Sequence, residues 1–237
     1  MAFDEFLHLA SSFTTMKAFV ISLVLLLEVS GSAAAQQPTP QQQTELERQR
    51  WNKVLTGKQP GYVFNQQPNA LLAESIKGRT PGAALDVGMG QGRNAIYLAT
   101  QGWDVTGIDI ADQAVALAQE KAKQAHVTIH TALQSDADYD FGTNRWDLVA
   151  FIYAGGRQYV EKVRQSLRPG GIVVIEGFHR DATQGRRIGE DVVFDTDELK
   201  KLYAAAGFKI LRYEEPEGIG DFGMQRVRLV KLVAQKP

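Results

Sequence analysis

The 237-residue chain contains no cysteine. That absence excludes disulfides, thiolate zinc sites, iron–sulfur clusters and cysteine nucleophiles. An excess of either charge is missing too: 26 Lys+Arg stand against 27 Asp+Glu, for a formal net charge of −1. A balanced chain offers no basic footprint for nucleic acid. Histidine is scarce, at four residues. His126 and His130 flank a candidate strand without acidic partners at metal-ligand spacing, so no catalytic metal is expected. The sequence has no G-x-S-x-G nucleophile elbow, no Walker loop and no internal repeat. Against these absences stand 44% hydrophobic residues. At this length they support a sizeable core in one domain with an extension.

The extension is N-terminal. Ala18 to Leu27 is an apolar run broken only by Ser22, preceded by Lys17 and followed by Ser30-Gly31-Ser32-Ala33-Ala34-Ala35. Positive residue, short apolar core and small-residue site follow the order of a secretory signal, with cleavage expected before Gln36. The run is short for a membrane span. Residues 1–35 are therefore read as a signal peptide or, if uncleaved, an N-terminal anchor, with Met16 as an alternative start. Export to a periplasmic or extracellular location follows if the signal is real. A membrane-anchored or cytoplasmic location follows otherwise. Residues 36–44 (QQPTPQQQT) hold no large apolar side chain and read as a linker. The remaining residues, 45–237, form one domain with an N-terminal helical cap over 45–79.

The domain alternates strand and helix. Helical periodicity covers Glu45–Leu55 and Asn69–Lys77, with Asn69 as a cap. Short apolar or alternating runs predict strands at Ala83–Val87, Asp104–Asp109, Val127–Thr131, Trp146–Tyr153 and Ile172–Ile175. Helices are expected between them at Asn94–Thr100, Ala111–Gln124 and Tyr159–Leu167. Asp195 or Thr196 starts a helix that ends at Ala206. Phe208–Tyr213 and Arg226–Val233 are expected as antiparallel neighbours at a sheet edge, since no helix is predicted between them. The fold class is α/β: a Rossmann-like, doubly wound, mostly parallel seven-stranded sheet, an antiparallel last strand, and helices on both faces.

A ligand in such a sheet lies beyond the carboxyl ends of the strands. Gly88-x-Gly90-x-Gly92 occupies that place after the first strand, where glycine lets a ligand approach the backbone and a helix N-terminus offers N–H groups. Asp109 ends the second strand, 21 residues after Gly88, where a carboxylate can accept ribose hydroxyls. Asp86 is a charged residue within an apolar strand, costly unless paired. The dinucleotide fingerprint G-x-G-x-x-G shares this layout, but Arg93 stands at its third glycine.

The segment Ala84-Leu85-Asp86-Val87-Gly88-Met89-Gly90-Gln91-Gly92-Arg93-Asn94 resembles motif I of the class I S-adenosylmethionine-dependent methyltransferases. Its continuation through Tyr97-Leu98-Ala99 is similar to the branch that includes the tellurite-resistance methyltransferases. Val105–Asp109 resembles motif II, Arg145–Val149 motif IV, and Leu167–Gly171 the turn before the fifth strand. Together these cover residues 60–233. The resemblance implies S-adenosyl-L-methionine as cofactor. Gly88, Gly90 and Gly92 would shape the loop around its methionine part, with Asn94 beside them. Asp86 would orient that loop, or reach the amino group through water. Asp109 would hold the ribose and Ile110 would pack on adenine. Asp136 or Asp138 would meet the adenine amino group. Phe64, Asn65 and Asn69, with Tyr62, belong to the segment that covers the cofactor in that family.

Methyl transfer is an in-line displacement, so the protein mainly aligns nucleophile and methyl. Catalytic groups are expected after the fourth and fifth strands. The candidates are Tyr153, Glu176 and His179, with His179 the best-suited general base because its proton changes near neutral pH. Arg180, Arg186 and Arg187 are either contacts for an acidic substrate or a solvated face. The expected acceptor is a small molecule, with no nucleic acid and no membrane contact beyond the N-terminal segment. A nicotinamide-dependent oxidoreductase and a non-catalytic cofactor-binding envelope protein stand as alternatives.

Overall fold

In a computed structural model, residues 39–237 are described except for 61, 62, 187 and 222. The expected signal segment, Tyr62 and Arg187 lie outside the described residues. Among the described residues, no helix is long and apolar enough to cross a membrane.

The chain order is α1 (Pro40–Leu55), α2 (Ala70–Ser75), β1 (Ala83–Val87), α3 (Arg93–Thr100), β2 (Asp104–Asp109), α4 (Asp112–Gln124), β3 (His130–Leu133), β4 (Trp146–Ile152), α5 (Val160–Ser166), β5 (Leu167–His179), β6 (Val193–Phe194), α6 (Glu198–Ala205), β7 (Lys209–Glu214), β8 (Glu217–Ile219) and β9 (Arg226–Gln235). The sheet runs β3-β2-β1-β4-β5-β9-β7, with β6 on β5 and β8 on β9. Pairings from β3 to β5 are parallel. β9 is antiparallel to both β5 and β7. The fold class is as expected, and the seven-strand path carries two further short strands.

Helices cover both faces, so the central strands are apolar on each. Leu148, Val149, Ala150 and Phe151 of β4 are fully buried, as are Ile172 to Ile175 of β5. One core collects Leu148, Ala150 and Ile152 of β4 with Leu72, Leu98 and Ile172. The other collects Val149 and Phe151, and Trp146 before the register shift in β4, with Phe194, Leu199 and Tyr203. Period-two alternation across a doubly covered sheet explains the split.

Several elements differ from expectation. The fifth strand runs Leu167–His179 instead of Ile172–Ile175, since Leu167 pairs with Trp146 ahead of the turn and residues 176–179 stay in extended pairing. The last helix is entered from Asp197 instead of Asp195 or Thr196. Residues 40–44, expected as linker, form the first turn of α1. Pro40 suits the first helical position, and Thr39 with Gln42 closes a capping box. The third strand is His130–Leu133 instead of Val127–Thr131. β9 was expected at an edge, yet it inserts between β5 and β7. Antiparallel pairing on both sides buries Leu229, Val230 and Leu232, and β7 takes the edge.

Asp147 stands at the opposite end of the sheet from the glycine turn. Its carboxylate accepts from the Ala83 N–H at 2.8 Å and pairs with Arg168 at 2.5 Å, a structural role.

Candidate functional site

The glycine turn after β1 is built by backbone conformation. Gly88, Gly90 and Gly92 have φ of 66°, 56° and 77°, a region that favours glycine. Space selects two of them as well. A Cβ on Gly88 would lie 2.7 Å from Ala154 Cβ, and one on Gly92 would lie 2.8 Å from Ala118 Cβ. Gly92 is the N-cap of α3 and supplies no side-chain cap. Met89 fills an apolar slot made possible by Gly107, where an added Cβ would collide with the Met89 sulfur.

Asp86 lies beneath this turn, 1% exposed. Its carboxylate accepts the N–H of Ala95 in the first turn of α3, with the Arg93 charge nearby, while Oδ2 has no hydrogen-bond partner. Burial pushes its pKa up from 3.8 to about 7, against the pull of Arg93 and the Ala95 N–H. The acid in an apolar strand is thus a cap for α3 from below.

Asp109 closes β2 and is 8% exposed. Its Oδ2 accepts from Gly90 N–H and its Oδ1 from Ala111 N–H, each at 2.8 Å. Burial raises its pKa, and the backbone donors of Ala111, Gly90 and Ile110 oppose that rise. These bonds fix the carboxylate in the plane of the turn. Each oxygen retains acceptor capacity for a hydroxyl.

Three adjoining cavities open along the carboxyl ends of β1, β2, β4 and β5. The first, about 70 Å³, lies on the glycine turn, with Phe64, Asn65, Gly90, Arg93 and Asn94 in its wall. The second, about 180 Å³, is lined by Asp109, Ile110, Ser135 and Asp136. Gly88, Ile152 and Leu55 belong to both. The third, about 520 Å³, has Tyr153, Phe178, Val192 and Val227 among its lining residues. Trp51, Asp136, Tyr153 and Asp191 line it together with the second. Every cofactor residue expected from the sequence therefore borders the first two cavities, except Gly92 and Asp86, which support the turn. Of the two candidate acids, Asp136 faces the cavities, while Asp138 accepts from the Ser135 hydroxyl at 2.7 Å.

The catalytic candidates separate. Tyr153 lies between the second and third cavities. It holds φ of 56°, an unfavourable conformation for a bulky residue. Two contacts to Glu176 enforce it. The Tyr153 N–H donates to Glu176 O at 2.7 Å, and the phenol donates to Glu176 Oε1 at 2.9 Å. Burial and the Glu176 charge push the phenol pKa far up, so the group stays neutral. Glu176 stands behind Tyr153 and is 3% exposed. Lys231 Nζ lies 3.4 Å from Oε2, an ion-pair distance without hydrogen-bond geometry.

His179 is away from the cavities, buried at the foot of the 180–183 helical turn. Its Nδ1 accepts from Asp181 N–H at 3.2 Å, and its Nε2 contacts the Thr196 hydroxyl at 3.0 Å. Both ring nitrogens are engaged in local structure, so the expected general base does not face the cleft. Arg180 pairs with Glu190 and Asp195, also outside it. Arg186 does line the third cavity. Among the described residues, no cluster of His, Asp or Glu suits a metal ion.

Two contributors were missed. On α1, Glu47, Arg50 and Trp51, spaced i, i+3, i+4, line the third cavity; the sequence reading has only a helix over Glu45–Leu55 there. The helix is pinned by Asn52, which donates to Asp112 Oδ1 at 2.7 Å and accepts from Gln113 N–H at 3.0 Å. Asp221, 6% exposed, gathers Arg93 at 2.6 Å, Asn65 at 2.9 Å and Asn69 at 3.2 Å. Its backbone N–H also donates to the Tyr153 phenol oxygen. Nothing local to Asp221 in the sequence announces these partners.

Residues 84–171 match a family described as a methyltransferase domain. The chain is 28% identical over 185 residues to Hemagglutinin 1 of Eikenella corrodens, covering 71% of this chain and 59% of that protein. It is 26% identical over 156 residues to the probable S-adenosyl-L-methionine-dependent methyltransferase TehB of Haemophilus influenzae, covering 62% and 53%. The crystal structure of TehB superposes with a TM-score of 0.58 at 22% identity, covering 71% of this chain and 62% of that one. The Burkholderia thailandensis 1,6-didemethyltoxoflavin-N1-methyltransferase, solved with 1,6-didemethyltoxoflavin and S-adenosylhomocysteine, shares the fold at TM-score 0.58 and 20% identity, covering 85% and 92%. The chain spans between half and three fifths of the length of the curated relatives it matches.

Proposed function

We propose that this chain, a member of the class I S-adenosylmethionine-dependent methyltransferases, transfers a methyl group from S-adenosylmethionine to a small-molecule acceptor. The observation that carries this reading is the row of three adjoining cavities. The narrow pair runs from the glycine turn past Asp109 to Asp136, and the larger third cavity meets it at Tyr153.

The residues present fit the cofactor. The glycine turn is a cradle that a Cβ at Gly88 would fill, and Asp109 is a fixed carboxylate at the ribose position. S-adenosylmethionine supplies an electrophilic methyl group on a sulfonium sulfur. Gly88 and Gly90, with Asn94 and Arg93, would enclose the methionine part. Asp109 would accept from the ribose hydroxyls, Ile110 would pack on the adenine, and Asp136 would reach its amino group. Asp86 keeps α3 and the turn in register from below. Tyr153, held neutral by burial and the Glu176 charge, forms the wall where cofactor and acceptor cavities meet. The main contribution of such a wall is alignment of nucleophile and methyl, with solvent kept out.

A small acceptor suits a cavity of about 520 Å³, within the range that encloses one drug-sized molecule. The likeness in fold to a methyltransferase solved with 1,6-didemethyltoxoflavin supports the same scale. Incubation of the full chain with methyl-labelled S-adenosylmethionine and a fractionated cell extract tests this. Label is expected in the small-molecule fraction; label confined to protein or nucleic acid contradicts it.

A further inference from the structure

The lining of the third cavity narrows the acceptor class, an inference that rests on the reading above. Its deep surface is aromatic and aliphatic. The buried side chains Tyr153, Phe178 and Val227 border it, with half-buried Trp51, Tyr159 and Ile188 beside them. Tyr153 and Phe178 pack as a pair, with ring centroids 4.8 Å apart and planes at 52°. The exposed residues of the lining are polar and of both signs, including Glu47, Arg50, Arg186 and Asp191. Such a site holds a ring against its deep wall and leaves polar substituents toward water, without selecting for net charge.

The proton chemistry narrows it further. No Lys, His or Cys is present among the described residues lining this cavity. The Tyr153 phenol is committed as a donor to Glu176 and as an acceptor from the Asp221 N–H, so it takes no proton. Burial and the Asp136 charge push the Tyr159 phenol up to about 12, so it stays neutral as well. Glu47, Asp136 and Asp191 are the remaining basic groups, and carboxylates are too weak to deprotonate an alcohol or an alkylammonium ion.

We propose that the acceptor is a planar aromatic or heteroaromatic small molecule whose methylated atom, a ring nitrogen or an acidic phenolic or enolic oxygen, offers a lone pair at neutral pH without a strong base. The acceptor lone pair forms the bond to the methyl carbon as the carbon–sulfur bond breaks with its electrons to sulfur. S-adenosylhomocysteine leaves as a neutral thioether. The acceptor keeps the positive charge, or its acidic proton goes to a carboxylate of the cavity or to water. Tyr153, Phe178 and Trp51 hold the ring.

The test separates this proposal from the reading beneath it. The full chain is first titrated with S-adenosylhomocysteine; failure to bind overturns both. The loaded protein is then titrated with a panel of planar phenols and nitrogen heterocycles, 8-hydroxyquinoline among them, and with saturated counterparts such as decahydroquinoline. Binding is read by calorimetry, which registers aromatic and saturated compounds alike, and its place by quenching of tryptophan fluorescence. Trp51 lines the cavity, whereas Trp103 and Trp146 are buried in the cores, 5% and 2% exposed, so the signal reports on Trp51. Aromatic probes are expected to bind, and to be methylated when S-adenosylmethionine replaces S-adenosylhomocysteine, and the saturated ones to do neither. Tyr153→Leu is expected to weaken aromatic binding by about 3- to 10-fold, the worth of a lost ring pair, and Tyr153→Phe to retain it. Ile188→Trp, at a half-buried position, is expected to block the probes and leave S-adenosylhomocysteine binding intact. Preference for the saturated compounds, or failure of every aromatic probe with S-adenosylhomocysteine bound, overturns the proposal and leaves the cofactor reading standing.

Discussion

The cofactor half and the acceptor half of the cleft are made in different ways. The frame of the cofactor half is contiguous in sequence: strand, glycine turn and helix over residues 83–100, then a second strand ending on Asp109, with Phe64, Asn65 and Asp136 joining from outside it. Its parts are bonded to one another, as Asp109 to Gly90 and Asp86 to Ala95. The acceptor half gathers α1, the Tyr153–Tyr159 turn, Arg186, Ile188, Gly189, Asp191 and Val192, and Gly223 and Gln225 before β9. It is bonded through long-range links such as Asn52 to Asp112 and Asp221 to Arg93. A locally determined half suits a ligand that never changes. A half assembled from separate segments can be altered one segment at a time without disturbing the first.

The comparison breaks most sharply at Asp109. Asp109→Ala removes charged acceptors for two ribose hydroxyls, and at ~1.5–3 kcal/mol each the loss of cofactor affinity is at least about 100-fold. Calorimetry is the check, and aromatic-probe quenching in the absence of cofactor should be little changed.

Asp86 gives the next largest effect, on stability. Its folded pKa of about 7 lies above the usual 3.8. Its stabilising contribution is therefore complete below about pH 4 and is lost as pH rises to about 7, and Asp109 acts in the same direction. Between pH 5 and pH 8 the loss for Asp86 is on the order of 2 kcal/mol. Asp86→Asn should flatten that slope in thermal melts at the two pH values; an unchanged slope would place the titrating group elsewhere.

Gly88→Ala meets both a left-handed φ and the Ala154 methyl. Denaturant unfolding should show a loss of about 1–3 kcal/mol, accompanied by weaker cofactor binding. His179→Ala sharpens the contrast from the other side. Loss of its two local hydrogen bonds should lower stability by about 1–2 kcal/mol, with kcat retained in a product-release assay, since the ring does not face the cleft. A collapse of kcat in folded protein would return His179 to the chemistry.

The same division governs what the sequence discloses. Period-two strands, glycine punctuation and the Asp109 spacing reveal the sheet and the cofactor half, because each depends on residues a few positions apart. Asn69 as a helix cap is legible for the same reason. Three features escape. Pro40 starts α1 because Thr39 and Gln42 cap it, a local device hidden in a glutamine-rich run. β9 lies inside the sheet because β7 pairs outside it, a topological fact with no local sign. His179 looks catalytic by residue type, yet its surroundings, Thr196 and Asp181, decide otherwise. Asp221 is the extreme case, with partners 128, 152 and 156 positions away.

The most direct test of the account is calorimetric titration of the full chain with S-adenosylmethionine beside the Asp109→Ala variant. Micromolar binding that weakens by at least about 100-fold in the variant is the predicted result. Absence of binding by folded protein, or binding of a nicotinamide dinucleotide in its place, would contradict it.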